Sequence, residues 1–174
     1  MDMKGLTTLV LCFLIGSAFA NDLSSTNIDS LYRAGERAYN SGDYATACKY
    51  FDEVLKKDSD HLNAYLQRGF CNTLRKDYQA AVADFSAVIK RNPNHLWAYT
   101  SRGSAYNKLG QYNLAMADFD KVLQLDPKNG EAFNNRGWTK KFLGDLRAAC
   151  KDWKSSARVG NGEARIIMKN NHCK

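Results

Sequence analysis

Residues 98–129 read AYTSRGSAYNKLGQYNLAMADFDKVLQLDPKN, and two helical periods run through them. Tyr99, Gly103 and Tyr106 fall on one face at helical spacing. The turn LGQY follows, with Gly110 free to take the left-handed conformation that ends a helix. Ala115, Phe119 and Val122 then share a second apolar face, and Asp126-Pro127 stops that helix. A hairpin with an apolar stripe on both helices cannot bury those stripes alone. It needs neighbours of the same kind.

The neighbours lie at a period of 34. One period earlier, Tyr99, Arg102, Gly103, Ala115, Phe119 and Pro127 become Tyr65, Arg68, Gly69, Ala81, Phe85 and Pro93; one period later they become Phe133, Arg136, Gly137, Ala149, Trp153 and Asn161. Two periods earlier they become Leu31, Ala34, Gly35, Ala47, Phe51 and Ser59. In this period and this alternation of small and large residues the chain resembles the tetratricopeptide repeat proteins. The resemblance implies an all-α fold, a right-handed α-solenoid of about four helix-turn-helix repeats. The repeats would occupy residues 28–61, 62–95, 96–129 and 130–162, with a capping helix over 163–174. Residues 21–27 read as a polar leader. The mid-helix glycines at 35, 69, 103 and 137 are each expected to mark a close helix crossing, beside the large residues Phe51, Phe85, Phe119 and Trp153. Lys76 stands where the other turns have Gly42, Gly110 and Gly144, and a lysine in a left-handed turn costs roughly 1 kcal/mol.

Residues 1–20 carry the marks of a secretory signal peptide: Lys4, an apolar stretch over 6–15, and the small-x-small sequence Ala18-Phe19-Ala20. The mature chain is therefore expected to begin at Asn21. The compartment expected is the periplasm of a Gram-negative bacterium, or otherwise the exterior. The formal charge of +7 is uneven. Residues 139–174 hold nine basic side chains against three acidic ones, a local excess of six. That end reads as a solvated cap, or as a contact for an acidic partner or an anionic surface. The compartment disfavours nucleic acid as a partner.

Of five cysteines, Cys12 lies in the leader, which leaves Cys48, Cys71, Cys150 and Cys173. An even count in an exported protein suggests disulfides, and four cysteines allow three connectivities. The repeat resemblance implies Cys48–Cys71 and Cys150–Cys173, because each pair occupies the same two positions of the frame on helices that neighbour in the family. No common zinc spacing is present, and no cofactor is expected.

An arginine–aspartate ladder also recurs at 34: Arg68 with Asp84, Arg102 with Asp118, and Arg136 with Asp152, absent together from the first repeat. The expectation is structural ion pairs between the two helices of one repeat. If exposed, each would add only ~0.2–1 kcal/mol.

No nucleophile motif, phosphate loop or HExxH sequence occurs, and His61 and His95 are equivalent repeat positions. Enzymatic activity is not expected. Tetratricopeptide proteins usually hold a peptide on the concave side, lined by the first helix of each repeat. Carried onto this chain, the lining would be Tyr32, Arg33, Gln67, Phe70, Trp97, Ser101, Ser104, Asn107, Asn134, Asn135 and Trp138. Phe70, Trp97 and Trp138 are the anchor candidates, because the packing pattern does not require them. The clamp for chaperone carboxylates is missing: Tyr32, Glu36, Gln67, Trp97 and Ser101 stand at its places. The reading is a non-catalytic adaptor or scaffold, monomeric or weakly oligomeric, with a protein or peptide ligand. The alternatives are a self-assembling component of an envelope complex, or a disulfide-stapled repeat enzyme acting on cell-wall material.

Overall fold

The computed structural model describes residues 27–173 of the 174; the expected signal peptide and most of the polar leader lie outside the described residues. Among these, all regular structure is helical. The helices are α1 (Ile28–Asn40), α2 (Tyr44–Lys57), α3 (Leu62–Leu74), α4 (Tyr78–Arg91), α5 (Leu96–Lys108), α6 (Tyr112–Leu125), α7 (Gly130–Phe142), α8 (Leu146–Arg158) and α9 (Gly162–Asn170). The chain divides into two compact units after Ala64.

The turns within the hairpins are alike in backbone. Gly42, Gly110 and Gly144 have φ of 84°, 72° and 88°, and Lys76 takes the same left-handed conformation at 63°. The lysine therefore carries the strain that glycine avoids elsewhere. Asp43, Asp77 and Asp145 cap α2, α4 and α8, accepting hydrogen bonds from the backbone N–H groups of Thr46, Ala80 and Ala148 at 3.0, 3.1 and 2.8 Å. The equivalent Gln111 makes no side-chain cap bond. His61 and His95 have a structural role too: each Nδ1 accepts from the N–H three residues on, Ala64 at 3.1 Å and Ala98 at 3.2 Å, closing the first turns of α3 and α5.

In the first unit α1 packs on α2. A Cβ on Gly35 would lie 2.7 Å from the ring of Phe51, which is fully buried. Tyr32 leans on Phe51 and stacks on His61, with ring centroids 5.5 and 5.0 Å away. Arg33 is exposed. In the second unit successive helices pack from α4 through α9. The same crossing recurs: a Cβ on Gly103 would stand 2.9 Å from Phe119, and one on Gly137 2.5 Å from Trp153. Phe85, Phe119 and Trp153 are fully buried, so each ring fills the space a glycine leaves. The fourth repeat has an indole where the others have phenyl, and its Nε1 donates to the carbonyl of Asn134 at 3.3 Å.

The three expected arginine–aspartate pairs form, and their carboxylates are buried. Asp84, Asp118 and Asp152 are 3–4% exposed. Arg102 grips Asp118 with two hydrogen bonds, 2.9 and 2.7 Å, and Arg136 grips Asp152 the same way at 2.8 and 2.7 Å. Arg68 reaches Asp84 at 2.5 Å, where Asn72 also donates at 3.0 Å. Hydrogen bonding to Asp118 holds the Arg102 guanidinium above its ordinary pKa, while burial pushes the Asp118 carboxyl upward, opposed by Arg102. A bond to the preceding repeat was not anticipated: Arg102 also donates to Ser86 at 3.0 Å, and Arg136 to Asp120 at 2.6 Å.

Cys150 on α8 is joined to Cys173, just beyond α9, with Cα atoms 5.4 Å apart. The bond closes the capping element over the last hairpin. Cys48 and Cys71 are buried, one in each unit.

Candidate peptide-binding site

The second unit holds a pocket of about 300 Å³ lined by Ser104, Asn107 and Lys108 of α5, Tyr112 of α6, and Asn135, Trp138 and Phe142 of α7. Helical spacing aligns its walls. Asn135, Trp138 and Phe142 follow one another by three and four residues, while Asn107 and Lys108 lie three and four residues after Ser104. A polar bond ties the two walls together. Thr139, fully buried, receives a hydrogen bond from the Asn107 amide at 2.9 Å and donates to the carbonyl of Asn135 at 2.9 Å. One rim is aromatic. Trp138 meets Trp153 edge to face at 5.2 Å, Phe142 stacks on Tyr112 at 5.4 Å, and the Lys141 ammonium sits 5.0 Å from the Trp138 ring centroid. The site therefore offers flat apolar surface beside amide and hydroxyl groups. Such a lining suits an extended main chain and one inserted side chain.

Four of the residues expected in the groove meet here: Ser104, Asn107, Asn135 and Trp138. Others do not. Phe70 packs against Phe85, ring centroids 5.4 Å apart, in the cluster around Ala81, Val82 and Ala105. It is half-buried against that core and does not line the pocket. The side-chain oxygen of Asn134 is buried without a hydrogen-bond partner among the described residues, so it does not line the open pocket. Trp97 is 66% exposed and stands apart from the pocket lining, as do Gln67 and Ser101. Tyr32 and Arg33 belong to the other unit. Sequence reading missed Lys108, Tyr112 and Phe142. Phe142 did leave a signal, an apolar residue in the last turn of a helix with no place in the repeating core pattern.

Tetratricopeptide repeat models match residues 32–95, 96–129 and 119–151. The chain belongs to the tetratricopeptide repeat family. That family is a scaffold for protein–protein interaction, in which stacked hairpins present an extended surface. Several solved tetratricopeptide structures resemble this one. MamA (41-end) from Desulfovibrio magneticus RS-1 is 26% identical with a TM-score of 0.75, over 78% of this chain and 77% of that one. A MamA RS-1 double mutant gives 26% identity and 0.74, over 79% and 77%. Another crystal structure of MamA, 22% identical, superposes over 95% of this tetratricopeptide chain and 98% of its own with a TM-score of 0.75. No match to a curated protein sequence is found.

Proposed function

We propose that this tetratricopeptide protein is a non-catalytic adaptor that holds an extended segment of a partner protein in the pocket between α5 and α7. The observation that carries the reading is the pairing of Trp138 and Phe142 with Asn107 and Asn135 around one cavity. The aromatic surface can anchor a side chain, and the amides can bond to a peptide main chain. A peptide array probed with the purified protein tests it. Trp138→Ala and Asn135→Ala are expected to abolish the spots bound by the wild type, while Trp97→Ala retains them. An identical pattern from all four proteins would remove the pocket from the function.

The adaptor works outside the cytoplasm in this reading. The leader-like residues 1–20 and the Cys150–Cys173 bond support it, since disulfides persist in oxidising compartments. N-terminal sequencing of protein from a periplasmic fraction is expected to begin at Asn21; a cytosolic protein beginning at Met1 would overturn it. The Cys48–Cys71 link belongs to the same reading, and non-reducing peptide mapping would report a cross-linked peptide pair containing both residues.

A further inference from the structure

A second cavity, about 510 Å³, lies at the C-terminal end between α8 and the segment after α9. Its chemistry differs from that of the first. Arg147, Lys151 and Lys154 of α8 line it, joined by His172, with Leu146 and the Cys150–Cys173 bond supplying its apolar surface. No acidic side chain is among its lining residues. The nearby acids are engaged elsewhere. Asp145 accepts from the N–H of Ala148 at the start of α8, and Asp152 is buried against Arg136 and Lys140. Arg147, Lys151 and Lys154 are exposed and make no ion pair among the described residues. Three cations thus face one concavity without a counter-charge, a field that attracts anions.

We propose that this cavity binds an acidic peptide segment in extended conformation, and that the Cys150–Cys173 disulfide holds the site together. This site is separate from the α5–α7 pocket and does not depend on its assignment. The spacing of the charges selects the ligand. Arg147 and Lys151 are about 6 Å apart along the helix axis and Lys151 and Lys154 about 4.5 Å, at 1.5 Å per residue. Alternate side chains of an extended peptide point the same way and repeat about every 6.5 Å. Acidic residues at every second position therefore reach successive cations, and the flexible lysine stems absorb the difference in pitch. Leu146 and the disulfide receive apolar atoms of the same segment. The charges line a hollow and not a plane, which favours a peptide over a membrane surface. Cys150 lies on the same helical face as Arg147 and Lys154, and its bond to Cys173 brings residues 171–173 over to form the far wall. Reduction removes the tie of that wall to α8 and leaves it held by the Lys141–Asn171 bond and by the backbone bonds of residues 171–173 to α9.

Fluorescence polarisation of a labelled Glu-Leu-Glu-Leu-Glu peptide tests the proposal, with Gln-Leu-Gln-Leu-Gln as the neutral control. The acidic peptide is expected to bind and the control not. Lys151→Glu is expected to weaken binding about tenfold or more, and raising the salt to weaken it further, as for solvent-accessible charges. The Cys150→Ser/Cys173→Ser variant, its helix content checked by circular dichroism, is expected to lose binding. Trp138→Ala, in the other pocket, is expected to bind the acidic peptide as the wild type does. Equal binding of both peptides, or no effect of Lys151→Glu, would overturn the site. Binding to phosphatidylserine vesicles with none to the peptide would assign the charges to a membrane instead and overturn the peptide. Undiminished binding by the double serine variant would refute the role given to the disulfide.

Discussion

Arg136 donates to Asp120 at 2.6 Å, sixteen residues back, and to Asp152, sixteen residues ahead. One guanidinium thus ties the helices of its own repeat together and fastens them to the repeat before. Arg102 does the same with Ser86 and Asp118. The two aspartates of Arg136 differ in environment: the Asp120 side chain is 55% exposed and that of Asp152 only 6%.

That difference sets two unequal outcomes. Asp120→Asn is expected to cost ~0.2–1 kcal/mol, the range for exposed pairs. Arg136→Met leaves Asp152 buried with Lys140 as its remaining cation and is expected to cost about 3 kcal/mol or more, toward the range for breaking buried pairs. Urea unfolding of the two variants, with the double variant completing the cycle, measures both.

Gly103→Ala is expected to destabilise the protein, although alanine is the better helix former by about 1 kcal/mol. The added methyl would stand 2.9 Å from the Phe119 ring, which is fully buried and cannot withdraw. Overpacking of this kind costs about 1–3 kcal/mol. Phe119→Leu in the same chain is expected to recover part of the loss, read as a rise in the thermal midpoint over Gly103→Ala.

Lys76→Gly is expected to stabilise by about 1 kcal/mol, because the residue already has φ of 63°. For a chain of this length that is a rise of about 2–4 °C in the thermal midpoint. The same substitution at Lys108, within α5, is expected to lower it.

Cutting the Cys150–Cys173 bond by Cys150→Ser/Cys173→Ser is expected to cost roughly 3 kcal/mol, from a loop with a sequence separation of 23. Hydrogen exchange should locate the loss in α9 and the end of α8, with α4 and α5 little changed, since contacts in such arrays run between neighbours.

The periodic features of the fold were legible because their causes are local or repeat with the chain. Helical faces come from spacing of three and four residues, turns from a glycine in a left-handed conformation, and the Gly103–Phe119 crossing from a pattern seen four times over. The position of Cys150 and Cys173 in the frame pointed to their bond for the same reason. The expectation fared less well wherever one residue had to be placed against others that do not repeat. Trp97 and Trp138 looked alike as unassigned aromatics, yet Trp138 forms a pocket wall and Trp97 stands in solvent, because only Trp138 has Trp153, Phe142 and Lys141 around it.

The amino-acid sequence by itself determined the helical hairpins, their register and the arginine–aspartate partners, since each follows from separations constant along the chain. Tertiary structure alone decided that the aspartates are buried, that Arg136 reaches a second repeat, and that Tyr112 and Phe142 complete a cavity with Asn107 and Trp138. Burial and cavities depend on which side chains from separate helices occupy the same space, and no spacing along the chain encodes that.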